Sequence, residues 1–309
     1  KAAFLGGGKT EFAANDGGQR MPGDRWETCR SFKQLLSKEY TTGKVLGHGF
    51  GPDAYKPDYS YLKGDITQAY TEKVKEAKRS FVFLNLHAAE VPGALIVFDK
   101  VVSSDPQFKK FWLLHSIEEP VIEGNRFTVR RTKNGDTGML QNHVLLPETG
   151  NAQIEKVGGK GKEFWVFGSN YPNDALPNRP DDANERGAWR VEVSPAAPAT
   201  ENYFLNVMQV ADNTCKQMNN VKRIDAEKVV GVQIADRVVT FSKDSRPLSG
   251  KVDMTVDGNA TMKFVITDLI PGTWQIKKDG KVYIPAMEVR SDDGILSFEG
   301  TAGHYEFLR

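Results

Sequence analysis

Five histidines, His48, His87, His115, His143 and His304, are scattered along the chain, and no two stand at the i, i+2 or i, i+4 spacing that would aim a pair of imidazoles at one metal ion. No self-contained metal site is therefore expected. His115 lies between Leu113 and Ile117 in an apolar stretch, and a buried, hydrogen-bonded core histidine is the preferred reading over an acid/base role. His143, in Gln-Asn-His-Val, reads the same way. A serine nucleophile would need a G-x-S-x-G elbow, which does not occur. Carboxylates for glycoside hydrolysis are plentiful, but only their separation in space is diagnostic. Gly6-Gly7-Gly8-Lys9-Thr10 has the end of a phosphate loop without its beginning: with Gly8 as the second glycine, the first would fall at Ala3. A flexible terminus is expected there.

Basic residues offer more. Lys73 to Arg79, Lys109 with Lys110, and Arg126 through Lys133 form cationic strips. Together they could line a groove for a sulfated or carboxylated polymer, although each alone reads as a solvated face. Lys109, Lys110, Arg126 and Arg130 are the candidate binding residues. Tyr171, Trp165, Trp189 and Trp274 could stack on sugar rings, but aromatic residues at strand positions are more often core. Any such groove must be local, because 41 basic residues against 40 acidic ones leave a formal charge of +1. No nucleic acid and no anionic membrane is expected as a partner.

These residues must be positioned by strands, since most of the 309 residues read in period two. From Phe108 to Ile117 both alternating faces are apolar, which predicts a strand covered on both sides. Arg126-Phe-Thr-Val-Arg predicts a half-exposed strand, and further strands are expected over Tyr59 to Tyr70, Ser80 to Leu86, Ala94 to Val102, Phe164 to Ser169, Trp189 to Val193 and Tyr203 to Val210. Turn chemistry at 133–136, 257–259, 278–281 and 292–294 predicts hairpins. Trp26 to Glu39 could hold a short helix, and no βαβ rhythm appears. Tyr171 to Arg186, rich in Pro, Asn and Asp, is expected to be a long exposed loop.

The length favours two domains. A boundary near Asn213 to Asn220 gives a β-sandwich over 1–213 and a smaller one over 214–309. The fold class is all-β, antiparallel throughout. The longest purely apolar run is Ala94 to Phe98, far short of the roughly 20 residues of a membrane span, and the first residues lack the features of a secretory signal. Cys29 and Cys215 fit neither a disulfide framework nor a zinc pattern, and one distant bridge remains open.

Longer segments carry a resemblance. Ala14-Asn-Asp-Gly-Gly-Gln-Arg20, Tyr61-Leu-Lys-Gly-Asp-Ile-Thr67, Phe108-Lys-Lys-Phe-Trp-Leu-Leu-His-Ser-Ile-Glu118, Gly158-Gly-Lys-Gly-Lys-Glu-Phe-Trp-Val-Phe-Gly168 and Phe298-Glu-Gly-Thr-Ala-Gly-His-Tyr-Glu-Phe-Leu-Arg309 resemble the heparinase II/III family of bacterial polysaccharide lyases. The resemblance is weakest over 171–186 and 244–260. It implies a chain corresponding to a carboxy-terminal half: most of a central super-sandwich-like domain, incomplete at its amino end, and all of a carboxy-terminal β domain. It further implies β-elimination at the uronic acid of heparin or heparan sulfate, with a helical toroid domain as partner, a possible homodimer, and a periplasmic or secreted location. The family's catalytic Tyr, His and Glu, its N-H-x-H-x-D segment and its zinc ligands fall upstream of Lys1, so no zinc ligand is assigned to this chain. The Leu-Leu-His match makes His115 the one family-motif histidine to test, with a structural role still preferred. The competing readings are a non-catalytic β module that binds sulfated glycans and a β scaffold that buttresses the toroid.

Overall fold

The computed structural model describes residues 18–19, 29–37, 40–166, 168–170 and 187–309, and strands dominate them. One helical turn, α1 (Phe32–Leu35), precedes β1 (Lys44–Gly51), β2 (Tyr59–Asp65), β3 (Val74–Asn85) and β4 (Gly93–Ser103). Next come β5 (Trp112–Ser116), β6 (Val121–Glu123), β7 (Arg126–Lys133), β8 (Asp136–Leu146) and β9 (Ala152–Gly158). The short β10 (Trp165–Val166) and β11 (Ser169–Asn170) are followed by β12 (Trp189–Pro195) and β13 (Glu201–Ala211). The carboxy-terminal strands are β14 (Val221–Asp225), β15 (Val229–Ile234), β16 (Arg237–Ser242), β17 (Val252–Val256) and β18 (Met262–Ile266). β19 (Gly272–Lys278), β20 (Lys281–Val289), β21 (Leu296–Gly300) and β22 (Gly303–Leu308) complete them.

The chain forms two compact units. The first comprises the described residues of Lys1–Lys44, Ile66–Ala77 and Val101–Cys215. The second comprises Val45–Asp65, Lys78–Lys100 and Lys216–Arg309. In the first unit, β13, β8, β7 and β6 lie side by side, and β12 is flanked by β5 and β9. Phe204, Leu205, Val207 and Met208 of β13 are all buried, so this strand is covered on both faces. One of its buried amides, Asn206, accepts a 2.9 Å hydrogen bond from Asn142 Nδ2 on β8.

In the second unit a five-stranded sheet, β14-β15-β16-β18-β21, faces a four-stranded one, β17-β22-β19-β20. Trp274, Phe264, Phe298, Tyr305 and Phe307 fill the space between them, with the Phe264 and Phe298 rings stacked at 4.7 Å. β1, β2, β3 and β4 form a further run of neighbouring strands. Antiparallel pairing predominates among the described pairs, but β16 pairs with β18 in parallel. The cause is the path of the chain, which leaves β16, crosses to the opposite sheet as β17 and returns as β18.

A buried carboxylate ties this unit together. Asp268, at φ 66°, accepts from Lys63 Nζ at 2.6 Å, from Tyr61 Oη at 3.0 Å and from the Ser242 backbone N–H at 2.9 Å. Lys63 and Asp268 keep only 5% and 4% of their side-chain surface exposed. Burial pushes the Tyr61 phenol well above its ordinary range, and the adjacent Asp268 charge adds to the shift, so Tyr61 stays a hydrogen-bond donor at any physiological pH.

Several sequence expectations are corrected. The strand from Phe108 is short and one-sided: Trp112 is buried while Phe111 and Leu113 are 45% and 39% exposed, because the face that Leu113 shares with Glu192 of β12 is not covered as the Trp112 face is. The strand from Tyr59 stops at Asp65 and passes into a 3-10 turn, Thr67–Ala69. The expected strand from Phe164 to Ser169 is instead the small hairpin β10–β11. Turns at 133–136 and 278–281 close hairpins, with Lys133 opposite Asp136 and Lys278 opposite Lys281. Those at 257–259 and 292–294 carry the chain between different sheets. Of the expected helix, the described residues show one turn, capped by Ser31 Oγ accepting from Gln34 N. The loop expected over Tyr171 to Arg186 lies outside the described residues, as does the glycine cluster at 6–8. Cys29 and Cys215 form no disulfide with each other.

Gly231, in the middle of β15, has no room for a side chain, since an added Cβ would stand 2.2 Å from the Val239 carbonyl oxygen. Backbone cannot yield as a side chain can. Gly231→Ala is expected to lower unfolding free energy by about 1–3 kcal/mol, measured by urea denaturation; an unchanged midpoint would contradict the close strand pairing.

Candidate functional site

Two cavities concentrate polar side chains, one in each unit. The first is built around Asp58, which directly precedes β2. Its backbone is fixed on both sides, donating to Gly51 O at 2.7 Å and accepting from Asn85 N at 2.9 Å. Its Oδ2 accepts from Lys263 Nζ of β18 at 2.6 Å, and its Oδ1 lies 2.7 Å from His87 Nε2. His87 follows β3 with φ 52°, a left-handed conformation that few non-glycine residues adopt. Arg237 of β16, only 2% exposed, donates from Nη2 to Asn85 O at 3.0 Å, pairs through Nη1 with Asp236, and approaches Asp58 Oδ1 at 3.9 Å.

These groups border a cavity of about 190 Å3 whose lining includes Asp58, Tyr59, Arg237, Lys263, Phe298 and Glu299. Burial alone would raise the Asp58 carboxyl. Hydrogen bonds from Lys263 and His87, with the charges of Lys263 and Arg237, outweigh it and hold the group below the ordinary carboxylate value. A histidine held by a carboxylate can take up or release a proton at its other ring nitrogen. The two cations, however, are already engaged by Asp58 and Asp236, so the cluster is a charge-compensated clamp rather than a receptor for an anion.

The second cavity, of about 340 Å3, contains Lys109 and Lys110. They precede β5 on a segment fastened to the β12–β13 connection. Ser103 donates from N to Thr200 O at 2.8 Å, and Lys110 Nζ donates to Ala199 O at 2.6 Å. Ala196 N donates to Asn151 O at 2.8 Å, which fixes the same connection from its other side. Burial moves the Lys110 ammonium below its ordinary value. Lys109 Nζ stands over the Phe111 ring, 5.0 Å from its centre.

Arg126 and Arg130 do not line this cavity. They share the solvent side of β7, Arg126 opposite His143 of β8 and Arg130 opposite Met139, with Arg130 Nη1 donating to Asn213 O at 3.5 Å. His143 is half-buried, and burial, aided by the Arg126 charge, lowers its pKa. His115 is exposed on β5 opposite Arg190. That corrects the buried core position expected for it, and the reason is the face it occupies, shared with Arg190 and Glu192 of β12 rather than with the buried Val191 and Val193. Neither cavity includes it. Of the aromatic candidates, Trp274 is core and fully buried, while Trp165 and Trp189 are half-buried with Lys162 and Lys156 over their rings. Sequence reasoning missed Asp58, His87, Arg237 and Lys263, which stand 29 to 205 residues apart where they touch. Among the described residues no three His, Cys, Asp or Glu side chains gather as metal ligands.

Residues 223–309 match the family model described as the heparinase II C-terminal domain. Among solved structures, similarity extends to a heparan sulfate lyase, HepC, from Pedobacter heparinus, with 14% identity over 62% of this chain and 26% of that one and a TM-score of 0.35. It extends also to a heparinase III gene product with methylated lysines, at 12% identity over 74% of this chain and 33% of that one, with a TM-score of 0.36. The chain thus spans about a quarter to a third of the length of these structures. Comparison with curated proteins gives no match.

The segment matched by that family model begins within β14 and runs through β22. Arg237 and Lys263 belong to it, whereas Asp58 and His87 come from well ahead of it in the chain. The second compact unit is therefore larger than the matched domain.

Because the folded Asp58 pKa is depressed, its contribution to stability is present above the unfolded carboxylate value near 3.9 and is lost as pH falls through the folded value. Asp58→Asn should cost about 1–3 kcal/mol at pH 7, and the difference from wild type should shrink toward pH 2. Chemical denaturation across that range reads it. A difference that stays constant down to pH 2 would contradict the account.

Proposed function

We propose that this chain is the β-rich carboxy-terminal part of a bacterial lyase that depolymerises heparin and heparan sulfate by β-elimination at the uronic acid. The observation that carries the reading is the match of residues 223–309 to the heparinase II C-terminal domain. Elimination requires a neutralised carboxylate, a base for the C5 proton and an acid for the departing oxygen. In this proposal the base, the acid and the zinc ligands belong to a helical toroid and adjoining segments ahead of Lys1, and the parent enzyme is a periplasmic or secreted homodimer. On the described residues, no helix is long and apolar enough to cross a membrane.

Neither cavity joins a proton-transfer group to an available cation. The Asp58 cavity is not lined by its histidine neighbour, His87, and its cations are held by carboxylates. The Lys109–Lys110 cavity has cations, but no histidine, tyrosine or carboxylate lines it. This supports a chain that lacks elimination chemistry of its own. A second reading, a β module that binds sulfated glycans without cleaving them, is favoured by the Lys109–Lys110 cavity.

The purified 309-residue chain, incubated with heparin and followed by the ultraviolet absorbance of unsaturated uronate, is expected to give no product. A chain extended through the upstream segments is expected to give it. Product from the 309-residue chain would place the base and acid inside it.

A further inference from the structure

The second cavity is unusual in its charge. In a chain with nearly equal numbers of acids and bases, the twelve residues lining it include two lysines and no aspartate or glutamate. Lys110 is held by carbonyl oxygens alone, Ala199 O at 2.6 Å and Phe108 O at 3.4 Å, which orient its ammonium without neutralising it. Lys109 rests over an aromatic face, which is likewise uncharged. Both contrast with Lys263, whose charge is met by Asp58. The cavity thus presents two positive charges with no counter-charge in its lining.

The remaining polar lining comes from the amides Gln107, Gln153 and Asn202. An amide side chain both donates and accepts. That suits hydroxyl groups, which do the same, better than a bare inorganic ion, which only accepts. The rest of the wall is Pro and Ala with Phe108, rigid and apolar, against which the C–H face of a sugar ring can lie. Its volume of about 340 Å3 is at the lower end of the roughly 300–1,000 Å3 typical of small-molecule sites, room for one or two sugar residues rather than a long chain. The tethers from Ser103, Lys110 and Ala196 hold the walls in place before any ligand arrives, which reduces the ordering cost of binding.

We propose that this cavity is a non-catalytic subsite for an anionic sugar, with Lys109 and Lys110 meeting a sulfate ester or carboxylate and Gln107, Gln153 and Asn202 meeting ring hydroxyls. The choice of a heparin-type sugar rests on the proposed lyase reading, whereas the preference for an oxyanion rests on the cavity itself.

The test is a titration of the full 309-residue chain, isotope-labelled, with a sulfated heparin disaccharide, following the side-chain amide signals of Gln107, Gln153 and Asn202. Saturable shifts are expected. Lys109→Ala, by loss of one charge-assisted hydrogen bond, and Gln153→Glu, by setting a negative charge against the anionic ligand, should each weaken binding about ten-fold. Both positions are exposed, so the variants keep the fold, which unchanged backbone signals elsewhere will verify; Lys110 is left intact because it pins Ala199. A neutral disaccharide, desulfated and carboxyl-reduced, should bind at least ten-fold more weakly, and so should sodium sulfate. Sodium sulfate binding as tightly as the sulfated disaccharide would overturn the sugar assignment, and equal binding of the neutral one would overturn the charge assignment. Absence of any shift, in a protein whose upstream-extended form still cleaves heparin, would overturn the subsite while leaving the lyase reading intact. Saturable binding with no cleavage by the extended form would do the reverse.

Discussion

A carboxylate taken out of water must find donors enough to replace the water it loses, and Asp268 finds three. Two come from β2 and one from the end of β16, so satisfying a single buried charge fixes where distant stretches of chain meet. Lys63 has the same requirement in reverse. Neither group is tolerable alone at such low exposure, and the pair therefore makes β2 obligatory to the unit that holds residues 223–309. This explains in energetic terms why that unit reaches back to residues well ahead of the matched segment.

Charge is used in two opposite ways in the molecule. Around Asp58, and between Arg79 and the buried Asp99, cations and carboxylates meet directly, at 2.5 to 2.9 Å in the latter pair, so most of each field is cancelled locally. Around Lys110 the partners are backbone carbonyls, which supply geometry but only partial charge. A field is left over. The distinction separates side chains that hold strands together from side chains that remain able to attract something else, and nothing in the spacing of lysines along the chain distinguishes them.

The architecture was largely legible in the alternation of apolar and polar residues, because that alternation is the direct imprint of a sheet with one face in a core. Local turn chemistry was legible only in part. Asp-Gly at 279–280 closes a hairpin, whereas Asp-Gly at 257–258 leads from one sheet to another: positive φ can reverse a chain without dictating which strand it next meets. Conversely, Ala235 takes φ 48° in a two-residue hairpin between Ile234 and Arg237, a turn made by strand pairing rather than by favourable residues. Phe111 and Leu113 misled because apolar character says nothing about whether the face that carries it is covered. Of the cationic candidates, Lys109 and Lys110 stand together because they are neighbours in the chain. The link from His87 to Asp58 to Lys263 joins parts of the chain that no local pattern relates.

The order of strands in the carboxy-terminal four-stranded sheet has a bearing on how the protein is made. β22 lies between β17 and β19, pairing with both, yet it is the last of these strands to be synthesised. Until it is released from the ribosome, β17 and the β19–β20 hairpin have no strand to join them, and the apolar side chains that Tyr305 and Phe307 will cover stay exposed to other chains. Closure of this sheet therefore waits on β22, and its core is among the last parts of the unit to be sealed.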